Sequence, residues 1–204
     1  MLQDHGGWPP VVAVNVKLYV IGGLGGESSA VEQYLPDEHK WERMEDLPTP
    51  IDKATLVALN GFVYSIGGYV YNRCTNACSR LNPQNSIWVD LEPKNRLKRS
   101  CGSGAVNPKI FAMGGFDGFK YYRDFECYDT VSAQWTNLTD MLTPRASFNV
   151  FHSDGILYVV AGRYQKRLTT IECYDLRKCE WTEMDTAIWE DKDIAASISC
   201  NADS

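Results

Sequence analysis

The sequence predicts an all-β fold: four copies of a four-stranded sheet arranged as the blades of a propeller, with one extra C-terminal strand. Two markers carry that reading. Glycine doublets fall at 22–23, 67–68 and 114–115, and a degraded Ala161-Gly162 completes the series at spacings of 45, 47 and 47 residues. Tryptophans at 41, 88, 135 and 181 recur at 47, 47 and 46, and seven residues before each stands Tyr34, Leu81, Tyr128 or Tyr174. Two independent markers holding one period through four copies identify a repeat protein. Four short antiparallel strands in a unit of about 46 residues is the pattern of a propeller blade.

Each element follows from local chemistry. The first strands are expected at Val11–Asn15, Thr55–Leu59, Gly102–Val106 and Phe148–Phe151. The second strands, Leu18–Ile21, Phe62–Ile66, Ile110–Met113 and Ile156–Val160, are near-continuous runs of β-branched and aromatic residues, as in strands buried on both faces. Asn60-Gly61, Asn107-Pro108 and Asp154-Gly155 precede three of them, and Asn-Gly and Asp-Gly are strong hairpin signals because both positions reach positive φ easily. Each glycine doublet then ends the second strand, where the chain turns sharply and another backbone can approach. Third strands are expected at Val31–Tyr34, Ser79–Leu81, Phe125–Tyr128 and Ile171–Tyr174, and the tryptophan segments supply the fourth. No stretch has helical periodicity. A phosphate-binding loop at Gly22–Gly26 is disfavoured because a strand, not a helix, follows it.

Composition bounds the function. The formal charge is −6 and the basic residues form only short clusters, so nothing points to nucleic acid. The cluster Lys94, Arg96, Lys98, Arg99 reads as a solvated loop, with a local anionic-ligand patch as its alternative. No apolar leader and no membrane-length apolar run is expected. Seven cysteines, an odd number, fit a reducing interior. Cys127 and Cys173 share one strand position, where cysteine acts as a small apolar residue, and the Cys74/Cys78 pair lacks the companions of a zinc site. His5, His39 and His152 occupy unrelated repeat positions, so no nucleophilic triad can be nominated. Acidic pairs such as Asp37-Glu38 and Glu190-Asp191 fall in expected turns. A non-enzymatic protein with no cofactor and no metal is the expectation.

The motif resembles the kelch repeat: an apolar strand, Gly-Gly, a variable loop, a tyrosine often followed by Asp, then tryptophan. Gly114-Gly115, Tyr128-Asp129 and Trp135 match completely; Gly22-Gly23, Tyr34 and Trp41 lack only the Asp; the second copy has Leu81-Asn82, and the fourth has Ala161 for the first glycine. The resemblance covers about residues 7 to 200. It implies a kelch-type β-propeller with blades at about 7–49, 50–96, 97–143 and 144–190, and residues 191–204 as a lone closing strand and tail. Relatives of this type usually have six blades, so the chain is expected to be part of a six-bladed ring. Left open, such an arc is expected to be marginal, dimeric or aggregation-prone. A kelch-type copper oxidase would need tyrosine, histidine and cross-linked cysteine ligands that do not map here.

In a propeller the connections after the second strands gather on one face around the channel. Here they are 24–30, 69–77, 116–123 and 163–169. The candidate partner-binding residues are Tyr69, Tyr71, Arg73, Phe116, Phe119, Tyr122, Arg163, Tyr164 and Arg167, since tyrosine and arginine are favoured in interface hot spots. Local packing is the competing role for Tyr69 and Phe116, and Asp117-Gly118 reads as plain turn chemistry. Arg99 and Arg145 are read as sharing one repeat position, with a structural role preferred. The tryptophans and Tyr34, Tyr128 and Tyr174 are expected in the core. By resemblance, the chain is a cytoplasmic protein-binding module, similar to the substrate-recognition region of BTB-kelch adaptors of cullin-RING ubiquitin ligases. Cullin would be reached only through a BTB region that this chain does not contain. The alternative is a kelch protein that binds actin or another cytoskeletal partner.

Overall fold

A computed structural model describes residues 1–7, 9–23, 25 and 29–184. Four antiparallel sheets, taken below as blades one to four, follow one another along the chain. The first holds β1 (Val11–Val14), β2 (Lys17–Ile21), β3 (Val31–Leu35) and β4 (Lys40–Arg43); the second β5 (Thr55–Leu59), β6 (Phe62–Val70), β7 (Arg73–Asn82) and β8 (Ile87–Leu91). The third holds β9 (Gly102–Val106), β10 (Lys109–Met113), β11 (Phe125–Asp129) and β12 (Gln134–Asn137). In the fourth, β13 (Asn149–Ser153) and β14 (Ile156–Val160) are followed by a small ribbon of β15 (Arg163–Tyr164) and β16 (Lys166–Arg167), then β17 (Ile171–Asp175) and β18 (Glu180–Met184). A 3-10 turn at Pro36–Glu38 carries Asp37 and Glu38. The lone strand expected near Asp193–Cys200 lies outside the described residues.

Three hydrophobic cores lie between the four sheets. Tyr19, Ile21, Val63 and Leu81 join blades one and two; Tyr64, Ile66, Ile110 and Tyr128 join two and three; Phe111, Phe125, Leu157 and Trp181 join three and four. The innermost strands β1, β5, β9 and β13 pack in that succession, and among the described residues no comparable packing returns from β13 to β1. Cys127 and Cys173 are buried on their strands, as the apolar reading required.

The tryptophans are less central than expected. Trp41, Trp88 and Trp135 are only half-buried, on the outermost strands. Trp135 Nε1 donates to Glu92 O at 2.8 Å and Trp181 Nε1 to Thr139 O at 2.7 Å, so each ties its own blade to the end of the one before. Tyrosine partners stack on them across the sheet, with ring centroids 5.1 Å apart for Tyr34–Trp41 and Tyr128–Trp135.

The glycine doublets make the joints. The second glycine donates its N–H to the next blade: Gly68 to Lys98 O at 2.9 Å and Gly115 to Arg145 O at 2.8 Å. A Cβ on Gly114, whose φ is +57°, would stand 2.5 Å from Arg145 O. Close approach and left-handed backbone together exclude other residues there.

Candidate functional site

In blades two, three and four the residue after the glycine pair is clamped to a neighbouring segment by two backbone hydrogen bonds. Tyr69 and Asp52 exchange backbone hydrogen bonds at 2.7 and 3.0 Å, Phe116 and Arg99 at 3.0 and 3.1 Å, and Arg163 and Ala146 at 2.9 and 3.1 Å. These clamps correct one expectation. Arg99 is the counterpart of Asp52 and Ala146, whereas Arg145 is the counterpart of Lys98, one residue earlier in the repeat.

Under the clamps lies a set of buried ion pairs. Glu32, Glu126 and Glu172 stand at the same place on β3, β11 and β17 and are all buried. Arg145 pairs with Glu172 and also donates to Ala161 O at 2.9 Å. Lys98 Nζ lies 2.6 Å from Asp124 Oδ2 and 3.9 Å from Glu126 Oε2. His5 fills the same place in the first blade, with Nε2 3.3 Å from Glu32 Oε2 and Nδ1 2.8 Å from Gly22 O. The carboxylates also accept backbone N–H groups of the connecting segments, Leu2 and Gln3 at Glu32, Leu142 and Thr143 at Glu172. His5 is therefore not at an unrelated repeat position, and the Lys94–Arg99 stretch is not a solvated loop: Lys94 and Lys98 are each 1% exposed. Its Asn95, Arg96 and Leu97 face solvent. These pairs fix the segments that end in Arg99-Ser100 and Ala146-Ser147, directly beneath the face.

On that framework an aromatic row crosses three blades. The Arg99 guanidinium lies 4.5 Å from the Tyr69 ring and 5.5 Å from Phe116. Phe116 stacks on Tyr121 with centroids 4.7 Å apart, and Tyr121 meets Tyr164 edge-on at 5.8 Å. Between blades two, three and four opens a cleft of about 140 Å³, with cationic walls from Lys53, Arg99 and Arg163 and aromatic walls from Phe116 and Tyr121. Ser100 and Ser147 complete its floor. Ser100 N donates to Lys53 O and Ser147 N to Ser100 O, both at 2.9 Å, so one backbone ladder links the three blades at the cleft.

The nine candidate residues fall into three groups. Tyr69, Phe116, Tyr164 and Arg163 come together around the cleft. Tyr71, Arg73, Phe119 and Arg167 stand at exposed tips; Phe119 is 96% and Tyr71 79% exposed. The stretch 69–77, expected as a loop, is instead a hairpin: β6 and β7 run on to a two-residue turn at Tyr71-Asn72, with φ of 45° and 64°. Likewise 163–169 contains a ribbon in which Arg163 faces Arg167.

Tyr122 stands apart. Its hydroxyl donates to Asp117 Oδ2 at 2.7 Å, and Lys120, Lys98 and Arg96 approach its ring at 4.8, 5.3 and 5.4 Å. Asp117 Oδ1 also accepts Phe119 N and Lys120 N at 2.7 and 2.8 Å, an Asx turn as Asp117-Gly118 suggested. Burial pushes the Asp117 carboxyl up, but the Lys120 and Phe119 N–H groups and the Tyr122 hydroxyl outweigh it and hold it below the usual carboxylate range. The same hydrogen bond, followed by burial, raises the Tyr122 phenol. Sequence reasoning left Lys53, Ser100, Ser147 and Tyr121 out of the site and gave Arg99 a structural role. They come from segments about 47 residues apart, and only the ring of blades joins them.

Comparison with known proteins agrees with this architecture. The KLHDC2/KLHL20/DRC7 Kelch-repeats domain matches residues 10–196. Kelch-like protein 41a of Danio rerio is 30% identical over 178 residues, covering 85% of this chain and 28% of that protein. Kelch-like protein 35 of Mus musculus is 28% identical over 174 residues, covering 81% and 29%. Kelch repeat and BTB domain-containing protein 1 of cowpox virus (strain Brighton Red) is 27% identical over 181 residues, covering 84% and 32%. The solved structure of YjhT superposes with a TM-score of 0.76 at 17% identity, over 86% of this chain and 64% of that one, a likeness of fold. The chain thus spans about a third or less of the length of these curated relatives.

Proposed function

The chain belongs to the kelch-repeat family, and we propose that its loop face holds a protein partner, as the substrate-recognition region of a BTB-kelch ubiquitin-ligase adaptor does. The observation that carries this reading is the cleft and its aromatic row. Three blades place arginines and tyrosines on one rigid face, with the apolar area and directional donors that protein interfaces favour. One similar protein is named for a BTB domain as well as a kelch repeat, and the chain covers 32% of it. Ligase recruitment on this reading belongs to a longer protein, and the face alone would bind without marking its target. Six unpaired cysteines among the described residues suit a reducing, cytoplasmic setting.

The test is quantitative affinity purification followed by mass spectrometry, comparing wild type with Arg163→Ala plus Arg167→Ala, and with Tyr122→Ala. A specific partner should fall several-fold in at least one variant. If every specific partner survives all the changes, the face is wrong. Co-sedimentation with filamentous actin, abolished by the same variants, would replace the adaptor reading with a cytoskeletal one.

A further inference from the structure

We propose that the cleft between blades two, three and four is an anion subsite, which selects partners carrying a negatively charged side chain, carboxylate or phosphate ester. The inference rests on the protein-binding reading and specifies what that face recognises. Its basis is an imbalance of hydrogen-bonding groups. Lys53, Arg99 and Arg163 bring three cations to a cleft of about 140 Å³ in a chain of formal charge −6. Ser100 and Ser147 add hydroxyls with no partner among the described residues. No carboxylate lines the cleft; Asp52 stands beside Lys53 in a long ion pair, Oδ1 to Nζ 3.8 Å, while Arg99 and Arg163 have no carboxylate partner among the described residues. Arg145 and Lys98 are neutralised by carboxylates, Glu172 and Asp124, whereas the two cleft arginines are not.

Arg99 is prepared for such a ligand. Its guanidinium lies over Tyr69 and beside Phe116 and forms no ion pair or side-chain hydrogen bond among the described residues. Stacking on a ring leaves the in-plane N–H groups free, and these match a carboxylate or phosphate in pairs. The backbone clamps at Arg99–Phe116 and Ala146–Arg163 fix the main chain of both arginines, and the rings of Tyr69 and Phe116 also position the Arg99 guanidinium, which lowers the ordering cost of binding. Phe116 and Tyr121 give the apolar wall against which the stem of an acidic side chain would lie.

The experiment uses the whole chain and three fluorescent peptide pools with identical randomised flanks and a central Glu, phosphoserine or Gln, read by fluorescence polarisation. The Glu or the phosphoserine pool, or both, should bind about tenfold or more tightly than the Gln pool, as expected for a charge-assisted pair. Inorganic phosphate should compete, and Arg99→Ala and Arg163→Ala should each remove most of the preference, while Arg177→Ala on the far rim should not. Which pool is tighter identifies the anion. Arg163 is exposed, so its variant keeps the test decisive if Arg99→Ala proves unstable. Equal binding of all three pools, indifferent to both arginines, overturns the anion subsite and leaves the protein-binding face standing. If no pool binds, and a partner captured from cells also ignores the face, both readings fall.

Discussion

Arg145 shows how much one side chain holds in this fold. Its backbone carbonyl accepts the Gly115 N–H of the preceding blade, while its guanidinium reaches Glu172, Ala161 O and Thr170 O in its own. Removing one partner of such a buried pair leaves the other charged and unpaired. Arg145→Ala should therefore cost about 3–5 kcal/mol in a urea melt. Replacing Arg145 and Glu172 together by methionine should restore much of that loss, and a double variant no better than the single would contradict the weld.

The Asp117–Tyr122 contact makes a second prediction, in pH. The Asp117 carboxyl is depressed, so its contribution is present above its unfolded value and is lost as pH falls through the folded one. The Tyr122 phenol is raised, so its contribution is present below the ordinary phenol value, near 10, and is lost as pH rises through the folded one. The 116–123 loop should thus be best ordered between the two limits. In ultraviolet titration, wild type minus Tyr122→Phe should show a phenol ionising above the ordinary range, and Asp117→Asn should bring it back.

At this scale the sequence was least legible. The buried contacts escaped notice because three different side chains fill one position, His5, Lys98 and Arg145, and because the shorter first repeat spacing and the Arg99/Arg145 alignment obscured it. The glutamates could have been found: Glu32, Glu126 and Glu172 each lie two residues before the repeat tyrosine. Blade two breaks the series with Ser79.

Among the elements, the outer strands act through their tryptophans. Trp135→Phe keeps the ring body and loses the bond to Glu92 O, so it should cost about 1 kcal/mol in the same melt. At the first junction the equivalent bond is missing: Trp88 Nε1 is buried without a partner, and a depression of about 580 Å³ opens beside it. Trp88→Phe should accordingly cost less than Trp135→Phe, and the reverse order would contradict the tie. Strands and turns were largely readable, because their signals are local. The exception is the Tyr71-Asn72 hairpin, whose turn lacks the glycine that usually announces a two-residue connection, so that strands were mistaken for a loop.

At the scale of the molecule, the four blades share three cores among the described residues, and the first and last carry exposed apolar groups such as Val11, Leu18 and Phe151. If one blade contact buries about 400 Å² of apolar surface, a missing closure forgoes on the order of 10 kcal/mol, as much as many domains have in total. The 204-residue chain alone should self-associate with rising concentration in light scattering, and a monodisperse monomer with a sharp melt would contradict an open arc. The repeat period made the succession of four blades legible. The cleft was not, since its cations belong to three blades and meet only when the blades stack.

The central claim is that the face built by those three blades, and not the outer rim, engages a partner. Hydrogen exchange read by mass spectrometry, with and without a partner recovered by affinity purification, tests it most directly. The account expects slowed exchange at 69–73, 99–100, 116–122 and 163–167. Protection confined to β4, β8, β12 and β18, with the face unchanged, would contradict it.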